Sequence, residues 1–215
     1  MKRVHLRSLG CPKNRVDSEI MVAKLTSGPF QLVDEPEAAD VIVVNTCSFI
    51  EPATNESIDT ILDLAKHKSE GDCEKLVVTG CMVQRYGEAL EDRLPEVDNF
   101  LGTGDYHRID TVLSKPGPRS IISPPEAAES EGAARVTSTS PGSAYIKISE
   151  GCDHRCAFCI IPKLRGRLRS RSIASLVLEA ERLVAQGIVE INLVSQDSTA
   201  YGRDRDDGAG LGPLM

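Results

Sequence analysis

Three cysteines stand at Cys152, Cys156 and Cys159, in the order Cys-x-x-x-Cys-x-x-Cys within GCDHRCAFC. Three thiolates on one short loop can hold three corners of a four-iron cluster and leave the fourth iron free for a small molecule. Zinc is the alternative chemistry for closely spaced cysteines, but a structural zinc site closes with a fourth Cys or His. Nothing after Cys159 can serve as that donor, and His154 reads as a solvated loop residue. Disulfides fit less well, because the chain has seven cysteines, an odd count, and its start, MKRVHLRSLG, lacks the apolar core of a secretory signal. The thiols are therefore expected to be reduced and the protein cytoplasmic.

A second trio is spread along the first half of the chain. Strand-like VHLRSLG (4–10) runs into Cys11, VIVVNT (41–46) into Cys47 and LVVTG (76–80) into Cys81. Any one of them could be a buried apolar thiol. Three at equivalent strand ends point instead to a shared site. Cys73 precedes its strand, so it is expected at the opposite edge and as a non-ligand.

The elements that must carry these residues follow from periodicity. Ile58, Ile61, Leu62 and Ala65 form one stripe at helical spacing, and Val83, Tyr86, Leu90 and Leu94 form another. Strand, helix, strand order predicts an α/β fold with a parallel sheet and right-handed crossovers. All three cysteines then gather at its carboxyl edge, where open sheets bind ligands. Strand-like stretches near Asn99 and Ile121 complete a first domain over 1–122. The segment 123–142 is rich in Pro, Ser, Gly, Ala and Glu, without an apolar stripe, and reads as a linker.

A second domain opens at 143, where AYIKIS (144–149) delivers Gly151 and the cysteine loop to a strand end. Leu176, Val177, Ala180, Leu183 and Val184 then form a helix face, Gly187 can end it, and VEINLV (189–194) is the next parallel strand. Ser195, Gln196 and Asp197 occupy the carboxyl end of that strand, where a barrel collects ligand contacts. A polar turn capping the strand is the alternative for this trio. Only 56 residues follow Cys159, whereas one strand-helix-strand unit needs roughly 30, so a barrel begins here without being completed.

The cysteine loop resembles the radical S-adenosylmethionine superfamily, and the two trios together resemble the methylthiotransferases. Their amino-terminal domain carries three auxiliary-cluster cysteines, matched by Cys11, Cys47 and Cys81, ahead of a radical S-adenosylmethionine (β/α) barrel domain matched by Cys152, Cys156 and Cys159. SLGCPKNRVDSE (8–19), VNTCSFI (44–50), ISEGCDHRCAFCIIPKLRGRLRSR (148–171) and LVSQDSTAYG (193–202) are similar to the branch that modifies an aspartate of ribosomal protein S-twelve. The resemblance implies two 4Fe-4S clusters, S-adenosylmethionine and methylthiolation of the aspartate β-carbon, with one cofactor molecule giving its methyl group and another cleaved to a radical. It also implies an electron donor and the small ribosomal subunit as partners. Phe158 resembles the aromatic placed near the adenine. Ser195, Gln196 and Asp197 are carried over as cofactor contacts, and no residue is singled out as catalytic. A transfer-RNA methylthiotransferase and an inactive cluster-binding fragment are the alternatives.

Composition adds limits. The net charge of −7 argues against a uniformly basic nucleic-acid binder. No apolar run approaches the roughly 18 residues of a membrane span. Lys163, Arg165, Arg167, Arg169 and Arg171 crowd the segment after the cysteine loop and read as a solvated face, with carboxylate or ribosomal RNA contact as the alternative.

Overall fold

The computed structural model describes residues 1–128, 131–139 and 142–215. The first half is a doubly wound sheet. Its strands are β1 (Lys2–Ser8), β2 (Phe30–Leu32), β3 (Val41–Thr46), β4 (Lys75–Gly80), β5 (Asn99–Leu101) and β6 (Ser120–Ile121). They lie in the order β2-β1-β3-β4-β5-β6, and every neighbouring pair is parallel. β3 is buried at all six positions and alternates between two cores. Ile42 and Val44 face one core, whereas Val41 and Val43 face the other. A run of consecutive apolar residues is what a parallel strand covered on both faces requires.

Helix α1 (Pro12–Thr26) covers the second of these faces with Val16, Ile20, Met21 and Leu25, joined by α5 (Ile109–Ser114). On the opposite face lie α2 (Glu51–Glu70), α3 (Cys81–Tyr86) and α4 (Ala89–Arg93). Two expected stripes are corrected here. Leu62 and Tyr86 are exposed, and the stripe from Val83 to Leu94 is two short helices, because the chain turns at Gly87 with φ +64°. Cys73 is buried in the first core ahead of β4, its thiol against the Lys75 carbonyl, and burial pushes that thiol up. Cys73→Ala should therefore leave iron uptake unchanged in an anaerobic reconstitution assay while costing modest stability.

The second half contributes β7 (Ser143–Lys147), β8 (Ser149–Glu150), α6 (Ile161–Arg165), β9 (Arg169–Ser170), α7 (Ile173–Ala185), β10 (Glu190–Val194) and the short α8 (Leu211–Leu214). β7 and β10 pair in parallel across α7, which makes one strand-helix-strand unit, and β8 pairs antiparallel with β9. Ala144, Ile146 and Ile148 pack on Leu176 and Leu183 of α7. Val177 and Val184, expected on the same face, are exposed.

The expected linker includes residues 129, 130, 140 and 141, which lie outside the described residues. Its described part is anchored to both halves. Arg135 is buried between Glu19 of α1 and Glu179 of α7, at 2.9 Å from each, and Ser138 also bonds Glu19. Glu126 accepts from the Arg167 amide, and Glu131 from the Ser172 amide.

Candidate functional site

The order of strands along the sheet reverses between β1 and β3, whose crossovers leave to opposite faces. Open α/β sheets bind their ligands outside the carboxyl ends of strands at such a point. Cys11 caps the start of α1 three residues beyond β1, Cys47 follows β3 directly, and Cys81 begins α3 directly after β4. All three line one cavity of about 470 Å³. Asn14 fixes the two loops relative to one another, since its Nδ2 donates to the Leu9 and Thr46 carbonyls at 3.0 and 2.8 Å. Ser57 of α2 holds Cys47 by its backbone, donating to the Cys47 carbonyl at 2.7 Å.

The other wall of this cavity comes from the second half. Ile161, Leu164 and Arg165 of α6 line it, as do Val194, Ser195 and Gln196 at the end of β10. The carboxyl ends of both parallel units thus face one space. Phe49 and Ile50, each about half exposed, lie along its rim.

Beneath the cavity is a buried ion cluster that joins the halves. Lys13 donates to the Ser149 carbonyl at 2.6 Å and to Glu150 at 3.0 Å. Lys147 pairs with Asp17 and, at 3.1 Å, with Glu150. Arg165 donates to Asp17 at 2.6 Å, lies 3.7 Å from Glu150, and also bonds Asn14 and the Cys81 sulfur. Three cations therefore meet two carboxylates, and one of the cations, Arg165, also contacts a cysteine. Burial alone would raise the Glu150 carboxyl, but Lys13, Lys147 and Arg165 outweigh it and hold Glu150 well below its ordinary range. Burial brings Lys13 down to about 8 against the opposing pull of Glu150, with repulsion from Lys147 and Arg165 adding to the fall. Burial pushes the Cys81 thiol up to about 11, although Arg165 favours its thiolate.

Arg165 and Arg171 correct the expectation of a solvated basic face. Arg165 is buried in the ion cluster, and Arg171 is buried against Glu179, the Lys147 carbonyl and Ser175. Lys163 and Arg167 are exposed. Sequence reasoning also missed α1 and its buried Lys13, Asn14 and Asp17. Their only signal was position, immediately after a strand-end cysteine.

The second trio lies on the loop after β8. Cys152 and Cys159 are half-buried and Cys156 is exposed, with the Cys159 amide donating to the Cys156 carbonyl at 3.0 Å. Gly151 turns the chain into this loop with φ +73°, and a Cβ there would fall 1.9 Å from the Arg167 carbonyl oxygen. Gly151→Ala should displace the loop against β9 and strongly reduce cluster binding at the second trio, read as lost iron and visible absorbance after reconstitution. His154 is exposed, as its loop position implied, and its ring meets Asp197 at 2.8 Å. Asp197 also accepts from Thr199; these hydrogen bonds, Thr199 first and then His154, draw its carboxyl down to about 2. The expected trio at the end of β10 thus divides. Ser195 and Gln196 face the first cavity, whereas Asp197 lines a smaller one with Cys152 and His154. Phe158 is 90% exposed and packs against no core.

The donor chemistry fits clusters better than single ions. Among the described residues, no three His, Cys, Asp or Glu side chains converge closely enough to hold one metal ion. A cluster makes a different demand, because each thiolate bonds a separate iron. Ser195 and Gln196 also line the first cavity; Ser195 Oγ and Gln196 Oε1 are buried without a hydrogen-bond partner, and the Gln196 amide donates to Glu150 at 2.9 Å. Three thiols above a floor where Lys13, Lys147 and Arg165 meet Asp17 and Glu150 suit a thiolate-bound cluster, which carries net negative charge.

Residues 3–102 match the model of "Uncharacterized protein family UPF0004", and residues 146–209 match that of the radical SAM superfamily. Two curated relatives carry the name "Ribosomal protein uS12 methylthiotransferase RimO". The one from Anaeromyxobacter sp. (strain Fw109-5) is 57% identical over 203 residues, covering 94% of this chain and 43% of its own. The one from Desulfosudis oleivorans is 51% identical over 218 residues, covering 99% and 49%. The chain belongs to the methylthiotransferase family of radical S-adenosylmethionine enzymes. It spans about half the length of the curated relatives it matches. Among solved structures, the radical S-adenosylmethionine methyltransferase TsrM from Kitasatospora setae superposes with TM-score 0.60 at 14% identity, over 93% of this chain and 48% of that one. Cobalamin-dependent OxsB follows at 0.55 and 16%, over 93% and 34%. At such identities these two likenesses concern the fold alone. No helix among the described residues is long and apolar enough to cross a membrane.

Proposed function

We propose that this chain carries the cluster-binding machinery of an enzyme that methylthiolates the β-carbon of an aspartate in ribosomal protein S-twelve. Cys11, Cys47 and Cys81 would hold an auxiliary 4Fe-4S cluster, and Cys152, Cys156 and Cys159 a second one that binds S-adenosylmethionine. When bound, these groups supply the radical and sulfur chemistry. The observation that supports the reading is that Cys11, Cys47 and Cys81 line one cavity with Gln196 at the end of β10, while the next residue, Asp197, lines the smaller cavity of Cys152.

The protein's own residues then have defined tasks. Ile161, Leu164 and Val194 wall the cavity and exclude water, so that a reactive species meets its partner before solvent. Lys13 and Arg165 keep the cavity floor positive. Gln196 links that floor to the end of β10, and Asp197 ties the same turn to His154 on the cysteine loop. Phe158, exposed beside Cys159, offers a ring for the adenine. The enzyme would act in the cytoplasm on the small ribosomal subunit, with a separate electron donor and with ribosomal RNA within reach of the exposed Lys163 and Arg167.

Mass spectrometry of ribosomal protein S-twelve and of transfer RNA, each incubated with reconstituted protein, reductant, sulfide and S-adenosylmethionine, tests this reading. A methylthio addition on the protein substrate is expected, absent with Cys47→Ala although 5′-deoxyadenosine still forms, and absent together with 5′-deoxyadenosine for Cys156→Ala. Addition to RNA alone would overturn the choice of substrate. Methylthiolation by the Cys47 variant would overturn the auxiliary assignment.

A further inference from the structure

Arg165 is the residue through which the second half touches a cysteine of the first. It ends α6, six residues beyond Cys159, and its guanidinium crosses into the first domain. One nitrogen, Nη1, is committed to Asp17 at 2.6 Å. The other, Nη2, bonds Asn14 and donates to Cys81 Sγ at 3.5 Å. Asn14 is itself fixed by the Leu9 and Thr46 carbonyls, and Asp17 by Lys147, so the fork is held from both sides. Its geometry is that of a planar donor gripping two acceptors while a third N–H is aimed at sulfur, which a lysine ammonium cannot reproduce.

We propose that Arg165 is a positioning residue for the three-cysteine site, which orients Cys81 and raises the reduction potential of the cluster held there. The inference rests on the cluster reading above. Reduction adds one electron and thus one negative charge, and N–H···S bonds and nearby positive charge stabilise the reduced form. Here both come from one side chain, placed in a floor whose cations already outnumber its carboxylates. Because Arg165 shares its segment with the second cysteine loop, the potential of one site depends on the seating of the other half.

The test uses the chain in a Cys156→Ala background, which leaves only the Cys11, Cys47 and Cys81 site to bind a cluster, titrated with dithionite and followed by EPR. Arg165→Gln should lower the midpoint potential by about tenfold in the one-electron equilibrium, about 59 mV. Arg165→Lys, which keeps the charge and the pairing with Asp17, should lower it by less. Lys163→Gln, which removes an exposed charge from the same helix, should leave it unchanged. A midpoint for folded Arg165→Lys equal to that of its parent would overturn the proposal. A second measurement needs no substitution at 165: pulsed EPR of the reduced Cys156→Ala chain carrying ¹⁵N-guanidinium arginine should detect a ¹⁵N coupling, and its absence would overturn the proposal even if both Arg165 variants fail to fold. A chain that assembles no EPR-active cluster at all would overturn the cluster reading itself, an outcome distinct from a cluster of unaltered potential.

Discussion

Glu150→Ala is expected to destabilise the protein by about 3–5 kcal/mol, the range for removing one partner from a buried charge network. Glu150 is the common acceptor for Lys13 and Gln196 through Oε1 and for Lys147 through Oε2, with Arg165 at 3.7 Å. Without it, Lys147 and Arg165 share Asp17, and Lys13 keeps the Ser149 carbonyl but no carboxylate. The loss falls on the junction of the halves, because Lys13 belongs to α1 whereas Lys147 and Arg165 belong to β7 and α6 of the second half. Urea unfolding followed by circular dichroism measures it, and a loss below 1 kcal/mol would contradict the network's importance. The same carboxylate gives a pH dependence of known sign. Its folded-state affinity for protons lies well below the unfolded value, so its stabilisation is complete above pH about 4.5 and is lost as pH falls below that toward the folded value. Glu150→Gln should show a shallower acid limb than the parent.

Gly10→Ala should abolish cluster assembly at the first trio. Gly10 has φ +86°, and a Cβ there would lie 2.5 Å from Cys47 Cβ and 2.9 Å from Cys47 Sγ. The backbone alone penalises a side chain in that conformation by about 1–3 kcal/mol. The larger effect is local, since Cys47 cannot move away without leaving the backbone clamp that Ser57 imposes. Loss of iron and visible absorbance from the first trio, with the second retained, is the expected signature. Full iron content in the variant would show that the approach of the β1 and β3 loops is not needed to seat the cluster.

How far the sequence discloses this arrangement depends on the kind of signal. β3 and β4 hold the consecutive apolar runs VIVV and LVV and are each followed directly by a cysteine, so their burial on both faces and the gathering of Cys47 and Cys81 at one edge follow from pattern alone. Helix α1 escapes the same reasoning. Lys13, Asn14, Asp17, Ser18 and Glu19 are all buried in it beside the apolar Val16, Ile20, Met21 and Leu25, and a helix buried on its polar side as well does not show the contrast of faces that marks a surface helix. The basic run fails for a related reason. Its alternate charges look equivalent in sequence, yet Arg165 is paired in the interior with Asp17, 148 residues earlier in the chain, while Arg167 pairs at the surface with Asp153. The division of Ser195, Gln196 and Asp197 between two cavities is equally invisible, because it depends on the turn after β10 rather than on residue type.

Anaerobic iron and acid-labile sulfide analysis with Mössbauer spectroscopy bears most directly on the central claim, that two cysteine trios each seat an iron–sulfur cluster. The fully reconstituted chain is expected to hold two four-iron clusters, with Cys47→Ala and Cys156→Ala each losing a different one. A single cluster in the parent chain, or zinc without sulfide, would contradict it.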